Sequence, residues 1–187
     1  MFIVFDGLDG SGKSTQAKLL CRHLEKLGKS YILRAHPSGD NFFGRKSREY
    51  LLLEGGRARV SASLFYLLDV VRSVLIYLWR PVNYVIFVRY LMGTAYLPEP
   101  LYKLGYLFFL RTVPRSDHMF FINTSPQESH RRIEQNRTQK EMFESLERLQ
   151  KVHRKISTLA SRPEWTVLDG DKPSQEIHSW VSDSLGL

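Results

Sequence analysis

The chain has 187 residues, 43% of them hydrophobic, which is enough for one compact domain with a full core and short for two. A formal charge of +8 points to anionic partners, and the basic residues are spread over 45–48, Arg57, Arg59, Arg72, Arg89 and 131–140 instead of forming one disordered tail. A single cysteine excludes an internal disulfide and a Cys-rich metal site, and Cys21 reads as a small apolar core residue.

Phe2-Ile3-Val4-Phe5 opens the chain as a short buried strand. No charged-then-apolar leader precedes it, so a cytoplasmic location is expected. Directly behind it, Gly7-Leu8-Asp9-Gly10-Ser11-Gly12-Lys13-Ser14 fits the pattern G-x-x-x-x-G-K-[ST] at every fixed position. Glycines let the backbone curl so that successive N–H groups point inward, and the following helix adds its positive end, so amides and dipole together hold a polyphosphate. Lys13 supplies a mobile charge for the β- and γ-phosphates, and the Ser14 hydroxyl ligates the Mg²⁺ that bridges them. Thr15 follows, and Ala17, Leu20, Cys21, Leu24 and Leu27 repeat at helical spacing over about 14–28. ATP with Mg²⁺ is the expected ligand.

Further strands are expected at Tyr31–Arg34, Tyr84–Val88, His118–Ile122 and Trp165–Leu168. Helices are expected over 43–53, 61–79, 126–136, 139–160 and 173–185, the third and fifth announced by Ser125-Pro126-Gln127-Glu128 and Pro173-Ser174-Gln175-Glu176. Residues 64–110 are very apolar, but Asp69, Arg72, Arg80, Arg89 and Glu99 leave no run of 18 uncharged residues, so this region reads as buried core or a partner surface and no membrane is expected. Strands alternating with helices predict an α/β fold in three layers, a five-stranded parallel sheet flanked by helices. Ligands of such sheets lie at the carboxyl ends of the strands, where the loops after Asp6, Arg34, Val88, Ile122 and Asp169 meet. A guanine-reading Asn-Lys-x-Asp element after a late strand is missing, which excludes a GTPase.

Beyond the phosphate loop, the sequence resembles thymidylate kinases. Residues 5 to 18 look like the start of that family, and Pro37, Leu64-Phe65-Tyr66-Leu67-Leu68-Asp69, Arg89-Tyr90 with Ala95-Tyr96, Phe121-Ile122-Asn123, Arg132-Ile133, Glu141-Met142-Phe143-Glu144 and Val167-Leu168-Asp169-Gly170 are similar in order and spacing. The resemblance implies a P-loop kinase fold in one domain, with a lid segment near 128–142, a homodimer, and transfer of the γ-phosphoryl of ATP to a deoxynucleoside monophosphate, most simply dTMP to dTDP. Nucleotides, not nucleic acid, are then the partners.

By that resemblance Arg89 holds the acceptor's phosphate, and Arg45 or Arg48 adds a second contact or is a solvated helix charge. One or more of Arg131, Arg132 and Arg137 swings from the lid over the transferring group, where an arginine stabilises developing charge. Asp9 accepts the acceptor sugar's 3′-hydroxyl, unless it is only a charge at a helix N-terminus. Tyr66, or Phe65 beside it, stacks on the base, and Tyr96 flanks the sugar; simple core packing is the alternative for each. Asp171 and Lys172 belong to a loop placed to touch the donor adenine. Two positions depart from the family. Val88 stands where its Asp-Arg pair has the aspartate, and Val70 where an arginine reads the pyrimidine edge, Arg72 substituting only if the helix shifts. Both fall on the acceptor side, so a different nucleotide or nucleoside acceptor, or nucleotide binding without transfer, stays open. Restoring the carboxylate by Val88→Asp is expected to raise activity.

Overall fold

The computed structural model describes residues 1–53, 55–136 and 145–187. Its strands are β1 (Phe2–Gly7), β2 (Tyr31–Ala35), β3 (Tyr84–Val88), β4 (His118–Asn123) and β5 (Thr166–Asp169). They form one sheet in the order β2-β3-β1-β4-β5, with every neighbouring pair parallel. The helices are α1 (Lys13–Lys26), α2 (Phe42–Leu51), α3 (Gly56–Tyr77), α4 (Leu101–Thr112), α5 (Pro126–Asn136), α6 (Leu146–Ala160) and α7 (Ser174–Leu185), with a short 3₁₀ turn at Met92–Tyr96.

Both faces of the sheet are covered, and the period-2 alternation of a strand divides its side chains between two cores. Phe2, Val4, Val85, Phe87, Met119 and Phe121 face a core completed by residues of α3, α4 and α6. Ile3, Phe5, Ile86, Val88, Phe120 and Ile122 face a second core closed by Ala17, Leu20 and Leu24 of α1 and Ile177 and Val181 of α7. Three layers follow, as the alternation of strand and helix patterns predicts.

Three elements differ most from the sequence expectation. The 3₁₀ turn and α4 are additions, because Leu101–Leu110 carries apolar residues on every side and so shows no period. Tyr102, Tyr106 and Phe109 are buried while Leu101, Leu104 and Phe108 are exposed. Helix α3 begins five residues before the expected 61, its first turns packing beside α2. Among the described helices α3 alone is long and apolar enough to cross a membrane, yet it contributes Ala58, Ala62, Tyr66, Val70 and Val74 to the core. Of the expected 139–160 helix, Leu146–Ala160 is described, and its first residues lie outside the described ones.

Candidate active site

The loop between β1 and α1 turns through glycines. Gly10 and Gly12 have φ of +79° and +94°, a region that side chains rarely occupy. At Gly10 even a methyl group would lie 2.5 Å from the Ser129 carbonyl oxygen. The loop therefore packs closely under α5 and opens into a cleft of about 400 Å³ lined by Ser11, Lys13, Ser14, Arg89, Arg132 and Lys172, among others. Gly7 ends β1, Gly10, Ser11 and Gly12 belong to this one loop, and Ser14 and Thr15 to the first turn of α1. Ser14 and Thr15 are exposed, and the Ser11 hydroxyl is buried with no hydrogen-bond partner among the described residues. Lys13 is buried, donates to the Leu8 carbonyl and lies 3.6 Å from Asp9.

Asp9 is the hub of the site. One carboxylate oxygen pairs with the Arg89 guanidinium, and the other accepts the Tyr96 hydroxyl at 2.9 Å. Burial opposes its ionisation, but Arg89 and Lys13 outweigh burial and hold its carboxyl well below the usual carboxylate range. Tyr96 is pushed the other way, well above an ordinary phenol, by burial and by the Asp9 charge. Arg89 lines the cleft at the phosphate loop, whereas Tyr96 lines a second cleft of about 700 Å³ bounded also by Arg59, Tyr102 and Lys155. Asp9, which lines neither cleft, thus joins a lining side chain of one to a lining side chain of the other.

Asp6 fixes the backbone that carries Arg89 and Tyr96. Its buried carboxylate accepts the N–H groups of Tyr90 at 2.8 Å, Met92 at 3.1 Å and Gly7 at 3.1 Å. Burial raises its pKa, and these three donors oppose the rise. On the other flank, Asp69 of α3 ties down the loop after β2. It accepts the Ser38 N–H and hydroxyl, both at 2.6 Å, and the Asn41 amide at 2.7 Å. Arg48 reaches back to the Pro37 carbonyl at 2.9 Å, while Arg45, the other candidate, is exposed on α2.

The aromatic candidates separate. Tyr66 is buried under the 3₁₀ turn, its hydroxyl on the Tyr90 carbonyl at 3.0 Å and its ring where a side chain on Gly93 would collide. Phe65 is half-buried and stacks on Tyr50 with centroids 5.7 Å apart. Val70 is fully buried, so that position faces core and not ligand. Arg72 is half-buried, and its Nη1 has no hydrogen-bond partner among the described residues.

The arginines expected in a lid also separate. Arg132 donates to Glu128 at 2.7 Å and to the Gly170 carbonyl at 3.1 Å, and it lines the phosphate-loop cleft. Arg131 pairs with Glu128 and Gln135 on the outer face. Arg137 lies outside the described residues, as do Glu141 to Glu144. Lys172 lines the same cleft, and Asp171 accepts the Ser125 N–H at 3.2 Å on the exposed loop after β5.

The sequence and the fold that carry this site have known counterparts. The family model described as thymidylate kinase matches residues 5–181. The chain belongs to the thymidylate kinase family. It is 45% identical over 65 residues to the thymidylate kinase of Fervidobacterium nodosum, 35% of this chain and 32% of that protein. To the thymidylate kinase of Ruegeria pomeroyi it is 43% identical over 68 residues, 36% of this chain and 31% of that one. The matched stretch spans about a third of these curated relatives. The solved thymidylate kinase of Candida albicans shares the fold, with a TM-score of 0.79 over 99% of this chain and 90% of its own at 19% identity. Within the family frame, Val88 is fully buried on the α1 side of the sheet, so the carboxylate expected there is replaced by core packing.

Sequence reasoning missed His36 and the structural work of Asp69. Neither carries a local signal, because their partners lie 53 and 31 residues away in sequence.

Proposed function

We propose that the protein transfers the γ-phosphoryl of ATP to a nucleoside monophosphate, with dTMP as the first candidate acceptor. The observation that carries this reading is the junction at Asp9. Arg89 lines the phosphate-loop cleft, where a donor would sit, and Tyr96 holds the other oxygen of the same carboxylate, so the phosphates of donor and acceptor would meet at these three side chains. Phosphoryl transfer needs in-line positioning and charge neutralisation more than covalent chemistry, and the lining by Lys13, Arg89, Arg132 and Lys172 supports the second.

In this reading the loop amides, Lys13 and Ser11 hold the donor's phosphates, and the unpartnered Ser11 hydroxyl and the left-handed glycines fit a cradle for oxygen acceptors. Asp171 and Lys172 border the adenine. Mg²⁺ fits the donor set as well. Magnesium keeps several waters and takes phosphate oxygens, so one exposed hydroxyl, Ser14, suffices as its protein ligand. When bound, it would neutralise charge on the donor's phosphates. Asp6 and Asp9 are already engaged by N–H, guanidinium and phenol donors. Arg89 holds the acceptor's phosphate, Asp9 receives its sugar hydroxyl and Tyr96 flanks the sugar. Pro37, Arg45, Phe65, Tyr66 and Arg72 remain the candidate acceptor-side residues; none of them lines either of the two clefts, and half-buried Phe65 is more accessible to a base than buried Tyr66. Arg132 supplies lid charge, with Arg131 paired outward and Arg137 a further candidate.

A homodimer belongs to the same reading. Val60, Leu64, Leu68 and Leu75 form an apolar stripe along α3 that Trp79 continues just past its end, with Leu75 67% and Trp79 80% exposed, and a second copy would cover it. ATP and nucleoside monophosphates are cytoplasmic metabolites, and a cytoplasmic site of action goes with them.

A second reading, a different acceptor, is favoured by the burial of Val70, which leaves no arginine at the family's base-reading position. A coupled ADP-release assay across deoxy- and ribonucleoside monophosphates tests both. Turnover with dTMP supports the first reading, and turnover with other acceptors alone supports the second. ATP binding without turnover on any acceptor overturns both.

A further inference from the structure

Arg89 has φ of +64°, the one non-glycine residue with positive φ among the described residues, and it follows the last residue of β3. A long side chain in the left-handed region is uncommon, and such a conformation persists only where its surroundings determine it. Here the backbone around Arg89 is bracketed. Its own N–H donates to the Phe5 carbonyl at 2.9 Å, and Asp6 receives the next N–H, from Tyr90. His36 adds three further contacts to this segment, beside the pair that the guanidinium makes with Asp9. The His36 N–H donates to the Val88 carbonyl at 3.0 Å, its Nδ1 lies 3.0 Å from the Arg89 carbonyl, and its own carbonyl accepts Arg89 Nη1 at 3.3 Å.

A carbonyl oxygen only accepts, so Nδ1 carries the proton and the ring is the donor. The imidazole is fully buried, edge-on to Phe87 with centroids 5.0 Å apart, and Nε2 has no hydrogen-bond partner among the described residues. An aromatic hydrocarbon ring would fill this space without stranding a nitrogen. What the imidazole adds is the single bond to Arg89.

We propose that His36 is a positioning residue that holds the Arg89 backbone in its left-handed conformation and so aims the guanidinium at the acceptor's phosphate. The proposal rests on the reading of Arg89 as the acceptor-phosphate ligand. His36 itself touches no substrate.

The test compares His36→Phe, which keeps a flat ring and loses the donor, with His36→Asn, whose Nδ2 stands near the lost Nδ1. The acceptor is whichever monophosphate gives turnover in the ADP-release panel. His36→Phe is expected to raise the acceptor KM about tenfold while the ATP KM stays within about twofold, and His36→Asn to recover most of the loss. Arg89→Ala separates the two levels. If it raises the acceptor KM and His36→Phe does not, the proposal is overturned and the reading of Arg89 stands. If Arg89→Ala leaves the acceptor KM unchanged, that reading fails and the proposal with it. Imidazole nitrogen NMR of the wild-type protein gives a check that needs no variant to fold. The Nδ1–H tautomer is expected, and an Nε2–H tautomer overturns the proposal.

Discussion

Arg132 hangs over the last glycine of the phosphate loop, its Nη1 3.8 Å from where a methyl group on Gly12 would sit. Its neighbour Arg131 points outward to Glu128 and Gln135. An arginine over the transferring phosphoryl group is worth about 10³-fold or more in rate. Arg132→Ala should therefore lower kcat by about 10³-fold, whereas Arg131→Ala, which breaks an exposed pair, should stay within about threefold. Equal losses in the coupled assay would remove the distinction between them.

Lys13 lies in the loop with its ammonium on the Leu8 carbonyl and near Asp9. In the proposed reaction it leaves these for phosphate oxygens whose charge grows during transfer. Lys13→Ala should drop turnover below about one hundredth of wild type with the fold intact by circular dichroism. Unchanged rates would sink the assignment of the donor site.

Val88→Asp carries two opposed effects. Position 88 is 1% exposed on the α1 face of the sheet, so a carboxylate there loses its water, at a cost of roughly 3 kcal/mol. Tm should fall by about 6–12 °C without ligand. If the new carboxylate faces the magnesium site, Mg²⁺ with ATP should raise Tm more in this variant than in wild type, and activity should rise with it. A ligand-induced shift equal to that of wild type would mean that position 88 belongs to the core alone.

His36 makes stability depend on pH. Burial pushes its pKa down to about 4, below the ordinary 6.5. Between those values the unfolded chain binds a proton and the folded one does not, so the contribution is complete above pH 6.5 and is lost as pH falls towards 4. Asp6 works in the opposite sense, since burial raises its pKa, but it is present in both proteins being compared. The urea midpoint should fall more steeply from pH 6.5 to 4.5 in wild type than in His36→Phe. Parallel slopes would show that His36 is not protonated on unfolding.

The α3 stripe predicts the assembly state. Sedimentation should give a dimer, and Leu75→Glu, a change on the exposed face, should give a folded monomer. A wild-type monomer at the same concentration would leave the stripe without the partner proposed for it.

Much of this protein is legible in one dimension because the determining interactions are local. The phosphate loop is eight consecutive residues, and the five strands declare themselves by short apolar runs, so the α/β layers and the donor side follow from spacing alone. Helix α4 escaped because its exposed Leu104 and Phe108 are as apolar as its buried Tyr106, and periodicity has nothing to detect there. The acceptor side is different in kind. Whether Tyr66 or Phe65 can meet a base, whether Arg131 or Arg132 covers the loop, and whether Val70 faces ligand or core depend on helix rotation and on neighbours remote in sequence. The Asp9–Arg89 pair joins residues 80 apart, and His36 meets Arg89 across 53. The sequence alone determined which chemistry sits at the end of β1. Only the tertiary structure decided which side chains reach it, because strand order and the left-handed turn at Arg89 are set by contacts that no local pattern encodes.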